Sequence, residues 1–432
     1  MFLILTFVLV FFLIFQVQEV WHMALLPGNL LDILVIASLV MCLVETARGI
    51  VVWPRRLPHM WLGLGFIVAM HLPSIVYSDF GGLIRTNGVA TKMLVVFMLV
   101  VLACNTSKRI WAMNLLVVGM AVMVGVHCLL QIKFGEGFGG HRPMLMRGGA
   151  EALIIRAKFV GVMDDPNDTS LFLVLSLPLL YAVFTRPSMP VRLLGFGAGL
   201  VLVLGQFTTQ SRGGYVAFAA MSLMAINQFL HTRRALLASL ALCIGVLFFA
   251  PQRVVQSGML SVDRLVLWGE ANQYFKQSPI VGVGVAQLQN MMSDYKTAHN
   301  SFVQSYTETG IIGYFFWFSW LLVSVYGCWI VSHLVPDDDD DRLLLRLARA
   351  MTPAIFGFCA AAYFLTRNYF LPMYVLLGLA AAIYRLAAER VGYDNLNRLC
   401  GLDNRRAWLY PALCVGSIFF IYINIRVVYL LQ

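Results

Sequence analysis

Charge is what this sequence has least of. Asp, Glu, Lys and Arg make up 12% of the 432 residues, about half the share of an ordinary soluble domain, which excludes a soluble enzyme. Cysteine pairs are lacking as well. The eight cysteines, at 42, 104, 128, 243, 328, 359, 400 and 414, form no CxxC and lie mostly inside apolar runs, so neither a disulfide framework nor a zinc site is indicated. No repeat of fixed period is found. The opening MFLILTFVLVFFLIF has neither a basic n-region nor a small-residue cleavage site and reads as a retained first helix. What is abundant is apolar: 60% of the residues, with a mean hydropathy of +0.80.

The apolar residues gather in stretches near the roughly 20-residue length that crosses a bilayer as a helix. The expected fold class is all-α, a polytopic membrane helical bundle of about 12–13 transmembrane helices with a small periplasmic cap. Spans centre on 2–17, 29–45, 57–77, 89–104, 110–132, 169–184, 191–208, 214–230, 235–250, 301–333, 351–366, 369–384 and 407–430. The pieces 351–366 and 369–384 read as a helical hairpin or as one broken helix. This divides the chain into N-terminal transmembrane helices (1–132), a periplasmic loop (133–168), further helices with Arg212 in an outer loop (169–250), a second periplasmic loop (251–300) and C-terminal helices (301–432).

The net charge of +10 marks topology rather than nucleic acid. Seventeen basic residues, from Arg48, Arg55 and Arg56 to Arg405 and Arg406, fall in short loops after even-numbered spans, whereas the short loops after spans one, three, seven and eleven hold only Arg85, Arg212 and Arg367. Cytoplasmic loops retain positive charge, so the N-terminus lies inside and 133–168 and 251–300 lie outside. The acidic run Asp337 to Asp341 reads as a solvated cytoplasmic turn before a basic helix.

Polarity beside membrane collects on the outer side. Arg212 stands in a polar break from Thr208, followed by Gly213 and Gly214, where backbone can approach an anion as the next helix starts. Its guanidinium offers paired donors to phosphate, with snorkelling as the plainer alternative. Arg264 precedes Trp268 by one helical turn, which lays the indole beside the guanidinium or along a sugar ring. His299 precedes Asn300 and Ser301, both N-cap types. It reads either as an interfacial polar group or as a base with a pKa suited to a sugar hydroxyl. Glu308, costly in lipid, is expected to face the protein interior. In Asp164 to Asp168 the first reading is a turn with Asp168 as N-cap of a span from Thr169, and the second a sugar- or cation-binding role. For Arg367, a helix break and an anion contact both stand.

Taken together, these pieces resemble the bacterial O-antigen ligase and polymerase family of polytopic glycan transferases, over roughly residues 155–385. SRGG at 211–214 is similar to the family's Ser-Arg-Gly element. Arg264, Trp268, Pro279, Gly282 and Gly284 are similar to its Arg, Trp, Pro-x-x-Gly-x-Gly element, and His299-Asn300-Ser301-Phe302 with Glu308, Gly310 and Gly313 to its histidine signature; DDPND before an apolar span also fits. The resemblance implies transfer of a glycan from an undecaprenyl-diphosphate-linked donor to a glycan or lipid-core hydroxyl, at the periplasmic face of the bacterial inner membrane. It implies no metal and no other cofactor. Arg212 and Arg264 match the diphosphate-binding arginines and His299 the activating histidine; Trp268, Asn300, Asp165, Asn167 and Arg367 are expected to contact substrate. Membrane lipid and polysaccharide assembly proteins are the further partners, and nucleic acid is not one.

The expected chemistry is an inverting displacement, with guanidinium groups stabilising the departing diphosphate and His299 taking the acceptor proton. Arg264 and His299 stand only 35 positions apart, where ligases of the family it resembles carry a larger periplasmic segment, so the resemblance implies a polymerase rather than a ligase. The alternative from another class is a lipid-linked glycan flippase or anion transporter.

Overall fold

The computed structural model describes residues 1–21, 30–147, 153–185, 188–230, 262–293 and 295–431. It is an all-α polytopic bundle, with eleven helices among the described residues long and apolar enough to cross a membrane. The expected count was about 12–13; the span read at 235–250 and the segment 251–261 lie outside the described residues. Proline opens several helices, among them Pro58–Val76, Pro166–Ser176 and Leu371–Val391, where its missing N–H costs nothing.

Leu371–Val391 is the most enclosed of these helices, and small residues let it sit there. A side-chain carbon on Gly378 would meet Val100 Cβ at 2.8 Å, so the Phe80–Ala103 helix approaches almost backbone to backbone, the usual solution where lipid offers no hydrophobic drive for packing. Of the two readings left open for 351–384, the structure has two separate helices, Asp339–Ala362 and Leu371–Val391.

The acidic run starts the first of them. Asp338 is the N-cap and accepts from Asp341 N at 2.7 Å, and Asp339 to Asp341 fill the first turn, where carboxylates complement the helix dipole. Arg390, at the end of Leu371–Val391, pairs with Asp340 and Asp341, and Ser107 Oγ bonds Asp340 at 3.0 Å. These pairs tie the starts and ends of the neighbouring helices together at this end of the bundle.

Two features depart from the sequence reading. The segment 133–168, read as a loop, contains two antiparallel strands, Met144–Arg147 paired with Leu153–Arg156 in register Met144 to Arg156. The stretch 301–333, read as one long span, is broken at Gly310, which takes φ 65° and ψ −174° inside Ser301–Val331. The rings of Phe302 and Phe318 lie 6.1 Å apart and those of Tyr306 and Tyr314 5.7 Å apart. A straight helix would separate residues 302 and 318 by about 24 Å. Residues 301–309 thus form a short helix that doubles back along the longer one, and Phe302 lies level with Trp317 and Phe318 rather than beyond Ile311.

Candidate active site

The fold-back leaves backbone groups around Gly310 without helical partners, and the Pro-x-x-Gly-x-Gly segment supplies them. Val283 N donates to Thr307 O and Gly284 N to Glu308 O, each at 2.9 Å; Ile311 N donates to Pro279 O at 2.9 Å. Only glycine fits at the crossing. Gly282 has φ 82°, and a side-chain carbon there would lie 2.4 Å from the Glu308 backbone; one on Gly310 would lie 2.1 Å from Ile280 O. Glu308 faces the interior, fully buried, as the sequence suggested, and receives Tyr369 Oη at 2.6 Å.

His299 stands at the mouth of this arrangement, exposed between buried Ala298 and Asn300. Its backbone is left-handed, at φ 49°, and is held from both sides. Trp268 Nε1 donates to Ala298 O at 2.8 Å, and Asn300 caps the short helix by accepting from Phe302 N and Val303 N. Ser301 Oγ donates to Leu365 O at 2.6 Å and accepts from Arg367 N at 2.8 Å. The connection 363–370 is thereby tied to the start of the short helix.

Arg212 reaches the same depth by a different route. It begins the helix Arg212–Leu230, whose other end is fixed by Gln228 Nε2 donating to Ser332 Oγ at 2.9 Å. Sixteen residues of helix, about 24 Å, separate Gln228 from Arg212, which sets Arg212 near the level of Phe316 to Phe318. The turn before it is fixed by Ser211, whose Oγ donates to Asn167 Oδ1 at 2.7 Å and accepts from Gly214 N at 3.1 Å. Gly214 is required by contact, since a side-chain carbon would fall 1.6 Å from Ser170 Oγ. Arg264, on Val262–Gln277, donates to Phe364 O at 3.4 Å.

Arg212, Arg264, His299 and Asn167 line one cavity of about 560 Å³. Four elements bring them together. Arg156, Lys296, Glu270 and Gln210 also line it, and none of these was singled out from sequence. Arg156, buried at the end of the second strand, donates Nε to Thr209 O at 3.0 Å and Nη2 to Asn167 Oδ1 at 3.2 Å, so it braces the turn that presents Arg212. No motif marks it; only its isolation in an apolar strand hinted at a partner. The described lining carries the four cations Arg156, Arg212, Arg264 and Lys296 against one carboxylate, Glu270, which is engaged by Ser293 N at 2.7 Å and Ser293 Oγ at 3.1 Å. A cleft with that balance favours an anion.

The electrostatics follow from the crowding. Burial and then the nearby Arg212 cation lower the Arg264 pKa from the usual guanidinium range. Burial, followed by the Arg264 cation, pushes His299 below the ordinary histidine value, and Asp165 pulls the other way. The imidazole is therefore neutral near pH 7 and able to accept a proton.

The other residues expected to contact substrate, Trp268, Asn300, Asp165 and Arg367, are not among the described lining of this cavity. Trp268 is fully buried, packed edge-on against Tyr363 with ring centroids 5.3 Å apart; with its N–H spent on Ala298, it supports the His299 turn and does not present a face to a sugar. Asn300 is buried as a helix cap. Arg367 is paired with Asp168 and lies 3.5 Å from Asp165, so its charge is already answered. Asp165, not Asp168, is the N-cap, accepting from Asn167 N at 2.7 Å, and the helix begins at Pro166 rather than Thr169. Proline at the first helical position explains the earlier start.

Residues 197–318 match the family model described as O-antigen ligase. That stretch contains Arg212, Arg264 and His299. No curated protein matches the chain. The match makes this part of the chain similar to O-antigen ligases and supports a glycan-transfer function of that type in surface polysaccharide synthesis.

Proposed function

We propose that the cavity transfers a glycan from undecaprenyl diphosphate to an acceptor hydroxyl at the periplasmic face of the inner membrane. The observation that carries this reading is the convergence of Arg212, Arg264 and His299 on one cavity from separate elements. In the proposed step, the acceptor oxygen forms a bond to the anomeric carbon while the bond from that carbon to the diphosphate oxygen breaks. The leaving diphosphate keeps the electron pair, and the acceptor proton passes to His299. Arg212 and Arg264 stabilise the charge that grows on the departing oxygen, where fixed donors act most strongly. Attack opposite to the leaving group inverts the sugar.

The short distance in sequence between Arg264 and His299 favours polymerase over ligase. Against a flippase or transporter stands the gathering of Arg156, Arg212, Arg264 and Lys296 on one cavity, rather than charges spread through the middle of the spans. The test is purified protein incubated with lipid-linked glycan, with product length and free undecaprenyl diphosphate followed together. A ladder of products without other acceptor supports polymerase; no release of undecaprenyl diphosphate with any acceptor overturns the reading.

Arg212→Lys and Arg264→Lys are each expected to slow transfer by about tenfold, a fraction of the 10²–10³ that loss of a stabilising donor costs, because an ammonium lacks the planar fork. Wild-type turnover in both would remove the diphosphate role. The pH profile tests His299 separately. Neutral imidazole is the active form and its pKa is lowered, so transfer is expected to hold as pH falls through about 6.5 and to decline only below it. Asp165→Asn removes a group that favours the protonated form, and so moves the acid limb lower still. The amide retains the cap.

A further inference from the structure

A cavity that the transfer step does not use lies between the first half of the helix Pro58–Val76 and the second half of Phe80–Ala103. It holds about 350 Å³, with Leu64, Leu94 and Phe97 in its depth and Trp53, Arg55 and Trp61 at its rim. His59, four residues past Arg55, packs edge-on against Tyr384 at 5.1 Å, so the rim lies at the end of the bundle where Arg390 pairs with Asp340 and Asp341. Leu94 stands nine residues before the helix end at Ala103, about 14 Å deeper. Trp61, Leu64 and Val68, all exposed, follow one another at helical spacing on one face of Pro58–Val76. The cavity therefore opens toward the bilayer and not into the bundle.

We infer that an anionic phospholipid of the surrounding bilayer seats here, with its phosphate on Arg55 and the upper part of one acyl chain in the cavity. Polarity along the cavity is the first argument. Arg55 is the one charged residue among the described lining, and below it the walls are hydrocarbon, which offers water almost no partners and suits an apolar occupant. The second is that the rim is set in advance. Arg55 N donates to Trp53 O at 2.9 Å, Leu57 N to Pro54 O at 3.0 Å and Trp61 Nε1 to Arg55 O at 2.9 Å. The turn thus needs no lipid to form it, and it carries two indoles of the kind favoured at headgroup level. Charge is the third. Arg48, Arg55 and Arg56 are exposed and form no ion pair among the described residues, whereas Arg342, Arg385 and Arg390 at the same end are each paired with a carboxylate. Unanswered cations above an apolar cavity complement an anionic head above a hydrocarbon chain; a zwitterionic lipid would bring its own cation to them. The floor also reaches the core: Phe97 packs edge-on against Trp320 at 4.7 Å, so an occupied cavity buttresses the long helix that carries the fold-back.

The test uses the full chain in detergent, stripped of lipid and titrated with phosphatidylglycerol or phosphatidylcholine of the same acyl length, with retained lipid counted by native mass spectrometry. Phosphatidylglycerol is expected to be retained in preference, and Arg55→Gln to lower that preference by about fivefold, the share of one arginine at an anionic surface. Arg342→Gln, whose charge is already paired with Asp339, should leave the preference unchanged. Equal retention of the two lipids by the wild type, or an undiminished preference in Arg55→Gln, overturns the proposal. Glycerol phosphate, a headgroup without chains, should not displace the lipid; displacement by it would make the cavity irrelevant and overturns the proposal as well. A phosphatidylglycerol with a diazirine midway along one chain is expected to label Leu64 and Leu94, and the label at Leu64 should fall in Leu94→Trp, which fills the depth. Label spread evenly over the lipid-facing helices counts against the seat. None of these readouts depends on glycan transfer, so the outcome is separate from that of the donor reading.

Discussion

His299→Ala is expected to slow single-turnover transfer by about 10²–10⁴-fold, the usual contribution of a positioned base, with the hold on lipid-linked diphosphate nearly unchanged. The reason for the split is spatial. The four cations of the described lining are on other residues, and His299 adds no charge near pH 7 because burial and Arg264 keep it neutral. Its backbone complicates a simple alanine test, since φ is 49° and a side chain in that region is strained unless it is short and polar. His299→Asn resolves this, because asparagine tolerates the left-handed conformation without being a base. Both variants should lose transfer to a similar degree, while the asparagine protein should be the more stable of the two. A His299→Asn protein that transfers glycan at the normal rate would sink the base assignment and leave His299 as a turn residue. The arginine variants should show the opposite signature, weaker binding of donor diphosphate together with slower release.

The bundle was readable from hydropathy because a membrane span needs only length and apolar content, and both are local. The three residues that converge on the cavity, Arg212, Arg264 and His299, stood out for a related reason. Each stands where polarity interrupts an apolar run, and an interruption is visible without knowing what packs against it. Residues whose role depends on distant partners were not. Arg367 meets Asp168 199 positions away in sequence, so nothing near it showed that its charge would be answered. Trp268 shares a helical face with Arg264 by spacing, but its indole N–H is used on Ala298, 30 positions on. Arg156 enters the cavity only because two strands pair in a segment that reads as irregular. The fold-back was the least legible feature: Gly-Ile-Ile-Gly within an apolar run looks like continuous helix, and the signal was the Gly282 and Gly284 pair far upstream, which makes sense only once the two segments are seen to cross.

That crossing carries the second large effect. Gly310→Ala is expected to cost several kcal/mol of stability and to abolish most folded protein in detergent. The φ and ψ of Gly310, 65° and −174°, lie in a region that only glycine occupies without strain, worth about 1–3 kcal/mol by itself. Contact adds to it, because the new methyl would fall 2.1 Å from Ile280 O and 2.5 Å from Val281 N. Backbone on both sides is fixed by the bonds from Val283 to Thr307, Gly284 to Glu308 and Ile311 to Pro279, so the segment cannot retreat without opening them. Groups opened inside a membrane bundle find no water to replace the lost partners. Gly282→Ala should behave the same way from the opposite side of the contact, with φ 82° and the Glu308 backbone 2.4 Å away. Gly119→Ala is the control: it lies in the helix Ser107–Phe134 with nothing within 4 Å of the added carbon, and should be neutral or stabilising by up to about 1 kcal/mol. Thermal unfolding of the three proteins in the same detergent separates the cases. Equal melting of Gly310→Ala and Gly119→Ala would mean that the chain runs straight through residue 310. His299 would then stand at the end of a continuous helix, about 16 residues of rise from the level of Arg212, and the three residues would not share a cavity.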